Sequence, residues 1–401
     1  DVARLVRLEL EQFRVYSDLG IDVPPAGLRI VGPNGSGKTT LLEAVELLST
    51  TRPRHGANDG DLIAHGSGLE LGVAPYSRVV GHVSRGDIDV RLEVFVERSE
   101  RRSASRKLFR VADRPRRAGD VVGLVPTVSF SPDDLDLALG PPSVRRRFLD
   151  VLLSQVDRRY LRHLSRYAKI LAQRNGLLRQ LAVTERGGDD QLVYWDEQLV
   201  ALGSYIVAAR LAAMREIRRF ASDAFATLSG GLYAFNVTYG GSVDLPEAIV
   251  DSTAHIDTLD AAQSVGVRFE QQLRKGRQAD IVRGSTLIGP HRDDLVMSLG
   301  DRPLARFGSR GQQRLAVLAA KLAELRYAQA VLDLRPILLL DDILSELDPA
   351  NRERLLEAVS QGGQVLVTAT EQSLVENEHL DHLRLLRLEP PLEAVTRESG
   401  S

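Results

Sequence analysis

The stretch "GLRIVGPNGSGKTTLLEAVELL" (27–48) decides how this chain is read. It runs from an apolar strand through a glycine-rich turn into an apolar helix. Within it, Gly32, Pro33, Asn34, Gly35, Ser36, Gly37, Lys38 and Thr39 fit the spacing GxxxxGK[ST]. The glycines let the backbone curl so that its N–H groups face phosphate oxygens. Lys38 adds a point charge for β- and γ-phosphates, and the Thr39 hydroxyl is a ligand for Mg²⁺. Thr40 follows as a further expected nucleotide contact. A glycine turn before a helix is common, but here the strand and helix that the chemistry requires are both in place.

Two further features answer this loop. The apolar run Ile337–Leu340 ends on Asp341 and Asp342. A carboxylate at the carboxyl end of a buried parallel strand stands in the crevice where ligands bind. Asp341 is expected to hold Mg²⁺, usually through water, and Asp342 to polarise an attacking water. "FGSRGQQRLAVLAAKLAEL" (307–325) opens a long helix whose mouth carries Ser309, Gly311 and Gln312. Unpaired N–H groups at a helix start suit an anion. The alternative is an ordinary capped helix with Ser309 at the N-cap.

Composition bounds the class. The chain has 401 residues, a formal net charge of −2, 43% hydrophobic and 26% charged residues. That fits a soluble globular protein of two or three units. With no cysteine, disulfides and thiolate zinc sites are excluded. No apolar run approaches the roughly 20 residues of a membrane span, and a cytoplasmic address is expected. Of 52 basic residues only those at 38, 107, 169, 275 and 321 are Lys. The Arg bias weakens the meaning of any Arg cluster and sharpens that of Lys38.

The chain reads as α/β. Val6, Leu8 and Leu10 alternate with polar residues as a strand, as do Ile88, Val90, Leu92, Val94 and Val96. A polar turn is expected at 98–107 and a buried strand at 120–130. Helical patterning dominates from 131 to about 280, interrupted by a β-like piece at 232–239. Strand, helix and strand resume at 337–342, 349–361 and 363–370. The expected organisation is an ATPase lobe of 1–130 with 285–401, split by a mostly helical lobe of 131–284. The helix near 308–328 lies at the lobe junction.

Taken together these motifs resemble ABC-type P-loop ATPase heads with a mixed β-sheet. "SRGQQR" resembles their signature, "SELD" (345–348) the D-loop, and "EQFRVY" (11–16) the N-terminal motif of SMC and RecF heads, in which the basic residue, here Arg14, approaches the nucleotide. "FSPDDLDLALGPPSVRRRFLD", "YAKILAQRNGLL", "WDEQLVALG" and "GPHRDDL" follow in the order of the RecF family. The roughly 150 residues between the head halves are too few for the long rod of SMC proteins at about 1.5 Å per residue. The resemblance implies ATP and Mg²⁺ as cofactors and an ATP-dependent homodimer. In it Ser309, Gly311 and Gln312 meet the partner's γ-phosphate and Asp348 the opposite phosphate loop. It also implies binding of single-stranded and duplex DNA at gaps, and work with RecO and RecR to load RecA in replication, repair and the SOS response. Departures are Arg310 for the usual Gln and Thr40 for Asn. No Gln stands at 128–133 and no His follows Val367, where Thr368 and Thr370 stand instead. The shorter carboxylate of Asp342 and the missing switch His imply slow hydrolysis, below about 10 s⁻¹, and the resemblance implies that the chain is a weak, DNA-dependent ATPase. The alternative is another SMC-like head in a nuclease or defence complex. Candidate DNA contacts are Arg101, Arg102, Arg106 and Lys107, Arg114, Arg116 and Arg117, and Arg145, Arg146 and Arg147. The segment from His291 through Arg292 and Asp293 to Asp294 reads either as a chemical cluster or as a turn locked by charged hydrogen bonds.

Overall fold

The structure is a computed structural model that describes residues 2–54, 57–69, 72–86, 88–98, 105–184, 189–246, 249, 258–359 and 363–389. The chain divides into two compact units, Asp1–Pro132 with Leu332–Ser401, and Asp133–Val331.

The first unit begins with strands β1 (Ala3–Phe13) and β2 (Tyr16–Asp22), then β3 (Gly27–Val31), which feeds the glycine loop and helix α1 (Lys38–Thr50). Strands β4 (Tyr76–Arg85), β5 (Ile88–Arg98), β6 (Ser105–Val111) and β7 (Arg114–Arg116) follow, then β8 (Thr127–Phe130). Among the described residues, an antiparallel sheet has the order β2-β1-β4-β5-β6-β7.

The sequence pattern mistook β1 in one respect. Val6 is 47% exposed while Leu5, Leu8 and Leu10 are buried. A bulge between Leu5 and Arg7 in the pairing with β4 switches the inward face of the strand. The expected strand at 120–130 shrinks to β8, because the short helix Ala118–Val121 and Gly123 at φ 78° turn the chain first. The expected polar turn at 98–107 ends inside β6.

The second unit holds helices α2 (Pro142–Val156), α3 (Arg158–Thr184) and α4 (Asp189–Ser229), then β9 (Phe235–Gly240) and α5 (Thr258–Arg283). It closes with β10 (Asp294–Leu299), β11 (Arg302–Pro303) and α6 (Arg310–Leu332). Along α4 the buried residues Leu199, Leu202, Ile206, Ala209, Ala213 and Ile217 recur at helical spacing and face α3 and α5. Residues 285–331 cluster with this unit, not with the ATPase lobe where the sequence reading put them. Within that segment β10 pairs with β9 across a long sequence gap.

Buried charge ties the helices together. Arg174, fully buried, donates through Nε to Asp196 and through Nη1 to Asp280 and Thr286, at 2.7–2.8 Å. Arg210 donates to Tyr160 Oη at 3.0 Å, to Pro290 O at 2.7 Å and to Asp150 at 2.8 Å. Such networks fix one packing, and removing one member typically costs 3–5 kcal/mol.

The chain then returns to the first unit with β12 (Ile337–Asp341), α7 (Pro349–Val359), β13 (Val365–Ala369) and β14 (Arg384–Arg387). These form a parallel sheet with β3 and β8 in the order β14-β3-β13-β12-β8. Its central strands β12 and β13 are buried on both faces, hence their largely apolar runs, whereas the edge strand β14 keeps Arg384 and Arg387 exposed. α1 packs against strands of both sheets. Leu41, Leu42, Ala44, Val45, Leu47 and Leu48 are all buried, so most of the helix surface is apolar, with Thr39 and Glu46 left on one polar face. A single core therefore clamps the helix that presents Lys38 and Thr39.

Candidate functional site

The glycine loop leaves β3 with Gly35 at φ 81° and Gly37 at φ 92°, left-handed conformations that favour glycine. A side chain on Gly35 would meet nothing within 4 Å, whereas one on Gly37 would come 2.4 Å from Tyr16 Oη. Pro33, Asn34 and Gly35 are exposed as a lip, while Gly32, Ser36 and Thr40 are buried. Lys38 is 7% exposed, and its Nζ donates to the carbonyls of Gly32 at 2.7 Å and Pro33 at 2.9 Å. Burial lowers its pKa, and the nearby Asp342 and Asp341 carboxylates oppose that shift. Ser36 Oγ is buried without a hydrogen-bond partner.

Asp341 ends β12 beside this loop. Its Oδ1 accepts from Thr39 Oγ1 and from Thr368 Oγ1, each at 3.0 Å. Its Oδ2 accepts from Arg54 Nη1 at 2.8 Å. Thr368 is the register partner of Asp341 on β13, and its hydroxyl also accepts the Asp342 N–H at 2.9 Å. Asp342 sits at φ 50° with Oδ1 buried and unpartnered. Burial raises its pKa, while Lys38 lowers it and Asp341 raises it further.

Mg²⁺ takes octahedral oxygen ligands at about 2.1 Å, so adjacent ligands stand about 3 Å apart. The Thr39 and Asp341 oxygens, 3.0 Å apart, fit that donor set.

Arg14, at φ 53° in the turn between β1 and β2, pairs with the buried Glu43 on α1, and Tyr16 Oη lies 3.5 Å from Ser36 O. This turn braces the loop and helix from the side. Asp348 accepts the Asn351 N–H at 3.0 Å, which caps α7 and lowers its own pKa. In the second unit the Ser309 N–H donates to Gln312 Oε1 at 2.8 Å, and Ser309 Oγ accepts the Gln312 N–H at 3.3 Å. That reciprocal pair is a capping box at the mouth of α6. Ser309, Arg310 and Gly311 are exposed there.

Several expected contacts are committed elsewhere. Lys107 pairs with Asp59, Arg145 forms a two-pronged pair with Asp294, and Arg146 donates to Asp293 O. Arg101 and Arg102 lie outside the described residues. Arg106, Arg114, Arg116 and Arg117 are exposed. The segment from His291 to Asp294 is a locked turn: burial holds His291 at about 4, its Nδ1 meets Tyr167 Oη at 2.8 Å, and Asp293 bonds Tyr239. Spacing along the chain revealed no histidine cluster, yet folding gathers Glu353, Glu378 and His379 within 4.8 Å. The glutamates are exposed, and the His379–Glu353 hydrogen bond at 2.8 Å accounts for the gathering. Arg54, Thr368, Glu43 and Tyr16 were not anticipated in their site roles; only the gap left by the missing His drew notice to Thr368.

A parallel sheet feeding a lysine-bearing phosphate loop, with a strand-end aspartate beside that loop's threonine, defines an ABC-type P-loop ATPase head. The sequence profile of the RecF/RecN/SMC N terminal domain matches residues 4–387. The chain belongs to the RecF family. It is 45% identical to the DNA replication and repair protein RecF of Thermomicrobium roseum, over 96% of this chain and 98% of that one. The RecF of Roseiflexus castenholzii is 39% identical, again over 96% and 98%. A solved structure of the recombination mediator protein RecF–ATP in the RecFOR pathway superposes with a TM-score of 0.82 at 27% identity, covering 97% of this chain and 98% of the other.

Proposed function

We propose that this chain is an ATP-dependent recombination mediator that binds DNA at gaps as a nucleotide-held dimer. The observation that carries the reading is the Thr39–Asp341 contact at the mouth of the Lys38 loop. Lys38 exchanges its two loop carbonyls for the β- and γ-phosphates, and backbone N–H groups between Asn34 and Thr39 cradle them. Thr39 and Asp341 hold Mg²⁺, whose charge neutralises the β- and γ-phosphate oxygens. Asp342, with its raised pKa, accepts a proton from the attacking water. Arg14 approaches the nucleotide from its brace on Glu43.

The mouth of α6 supplies the second half of the site from a partner copy. Ser309 Oγ accepts one N–H in the capping box, so its own proton remains to donate to a γ-phosphate, beside the exposed backbone at Gly311. Asp348 meets the opposite phosphate loop. ATP thus closes the dimer, and slow, DNA-stimulated hydrolysis opens it. The partners are gapped DNA, RecO and RecR, with RecA loading as the outcome, in the cytoplasm. Among the described residues no helix is long and apolar enough to cross a membrane.

Sedimentation with and without ATP, in the presence and absence of gapped DNA, tests this. The parent is expected to shift from monomer to dimer on ATP, with gapped DNA strengthening the shift. Ser309→Arg is expected to bind ATP yet remain a monomer. Dimerisation of that variant like the parent's would overturn the partner-site assignment.

A further inference from the structure

The Asp341 carboxylate is gripped on both oxygens, and one grip comes from a residue outside every motif named above. Arg54 follows α1 after a reversal in which Thr51 adopts φ 60°. Its Nη1 donates to Asp341 Oδ2 at 2.8 Å, and its Nε lies 3.4 Å from Glu46 Oε2. The Arg54, Asp341 and Glu46 side chains are only 9%, 7% and 17% exposed. Glu46 stands seven residues after Thr39 and therefore on the same face of α1. Arg54 thus lies along the helix face that presents the Thr39 hydroxyl, anchored at one end and bonded to Asp341 at the other.

We propose that Arg54 is the positioning residue of the metal carboxylate. A carboxylate bonded only by Thr39 and Thr368 on Oδ1 is free to swing about its terminal bond, which is a soft torsion. The bond to Oδ2 removes that freedom and keeps Oδ1 against Thr39. A guanidinium suits the task because its planar fork reaches two carboxylates at once, which an ammonium does less well. Arg54 bonds the carboxylate and acts on the metal through Asp341.

This inference rests on reading Asp341 as the metal carboxylate, and the test separates the two. Affinity for a fluorescent ATP analogue is measured on the full chain in EDTA and in excess Mg²⁺, and the Mg²⁺-dependent gain is the readout. Arg54→Gln is expected to keep the EDTA affinity and to lose roughly 10- to 100-fold of the gain, the usual effect of losing an outer-shell partner. Arg54→Lys is expected to recover part of it. A parent-like gain in Arg54→Gln overturns the proposal. Should that variant fail to fold by circular dichroism, Arg54→Lys decides: a gain reduced several-fold supports the role and a parent-like gain overturns it. Asp341→Asn is the reference. If it keeps the full gain, the reading of Asp341 itself falls. If it loses the gain while Arg54→Gln keeps it, only Arg54's role falls.

Discussion

Asp342 concentrates the local cost of the site. It is a non-glycine residue at φ 50°, with one carboxylate oxygen buried and unpartnered and a pKa raised first by burial. Left-handed backbone at a residue other than glycine typically costs of order 1–3 kcal/mol and persists where surroundings over-determine it. The constraint here is Thr368, whose hydroxyl accepts the Asp342 N–H while donating to Asp341. A raised folded pKa means that the native state holds its proton to higher pH than the unfolded chain. Stability from this residue therefore falls as pH rises through that window and stays lower at neutral pH. Asp342→Asn removes the charge, keeps the shape and tolerates the left-handed region better. We expect it to raise the melting temperature by a few degrees and to cut ATP turnover by 10²-fold or more, the contribution typical of a general base. The parent's turnover should fall on the acid side at a pH above the ordinary carboxylate range. A variant with parent-like turnover would remove Asp342 from the chemistry.

At the scale of elements, a buried side chain helps to join the two sheets of the first unit. Gln364, fully buried just before β13, accepts the Leu5 N–H at 2.7 Å and donates to the carbonyls of Leu5 and Pro24, each at 2.8 Å. Leu5 lies beyond the end of β2, whose pairing with β1 begins at Arg7. The Gln364 amide thus stands where a further strand residue would pair. Gln364→Leu strips the buried Leu5 N–H and carbonyl of their partner, at about 1–3 kcal/mol each before relaxation, while the Pro24 carbonyl keeps the Gly27 N–H at 3.0 Å. A drop in melting temperature of roughly 5–15 °C is expected in a calorimetric scan, and an unchanged value would refute the bridging role. Features of this kind were not legible in the sequence. The glycine loop, the strand-end aspartates and the capped opening of α6 are local patterns, and each was found where its spacing put it. Arg54, Thr368 and Gln364 depend on strand order. Because β13 lies between β3 and β12, a residue at the end of β13 stands beside Asp341, and no local pattern announces which. The exposure of Val6 turned on a bulge, which a period-two pattern cannot anticipate.

For the whole molecule, the net charge of −2 provides no general attraction for a polyanion. The proposed DNA binding then draws on basic side chains that the fold leaves exposed. Folding sorts the sequence clusters sharply. Arg145 is 12% exposed and bonded to Asp294 through two nitrogens, so it holds the turn before β10. Arg114, Arg116 and Arg117 are exposed, the first two on β7 at the edge of the antiparallel sheet. Charge and proline on an edge strand also discourage sheet-to-sheet pairing, so exposure by itself does not identify a DNA contact. The salt dependence separates the two roles. Each phosphate contact to duplex DNA contributes about 0.9 to the slope of log affinity against log salt. Replacing Arg114, Arg116 and Arg117 by Gln should flatten that slope by roughly 2–3 units and weaken all duplex sequences alike. Arg145→Gln should instead lower the melting temperature and leave the slope unchanged. If the triple replacement leaves the slope as it was, the edge arginines serve the sheet and not the DNA.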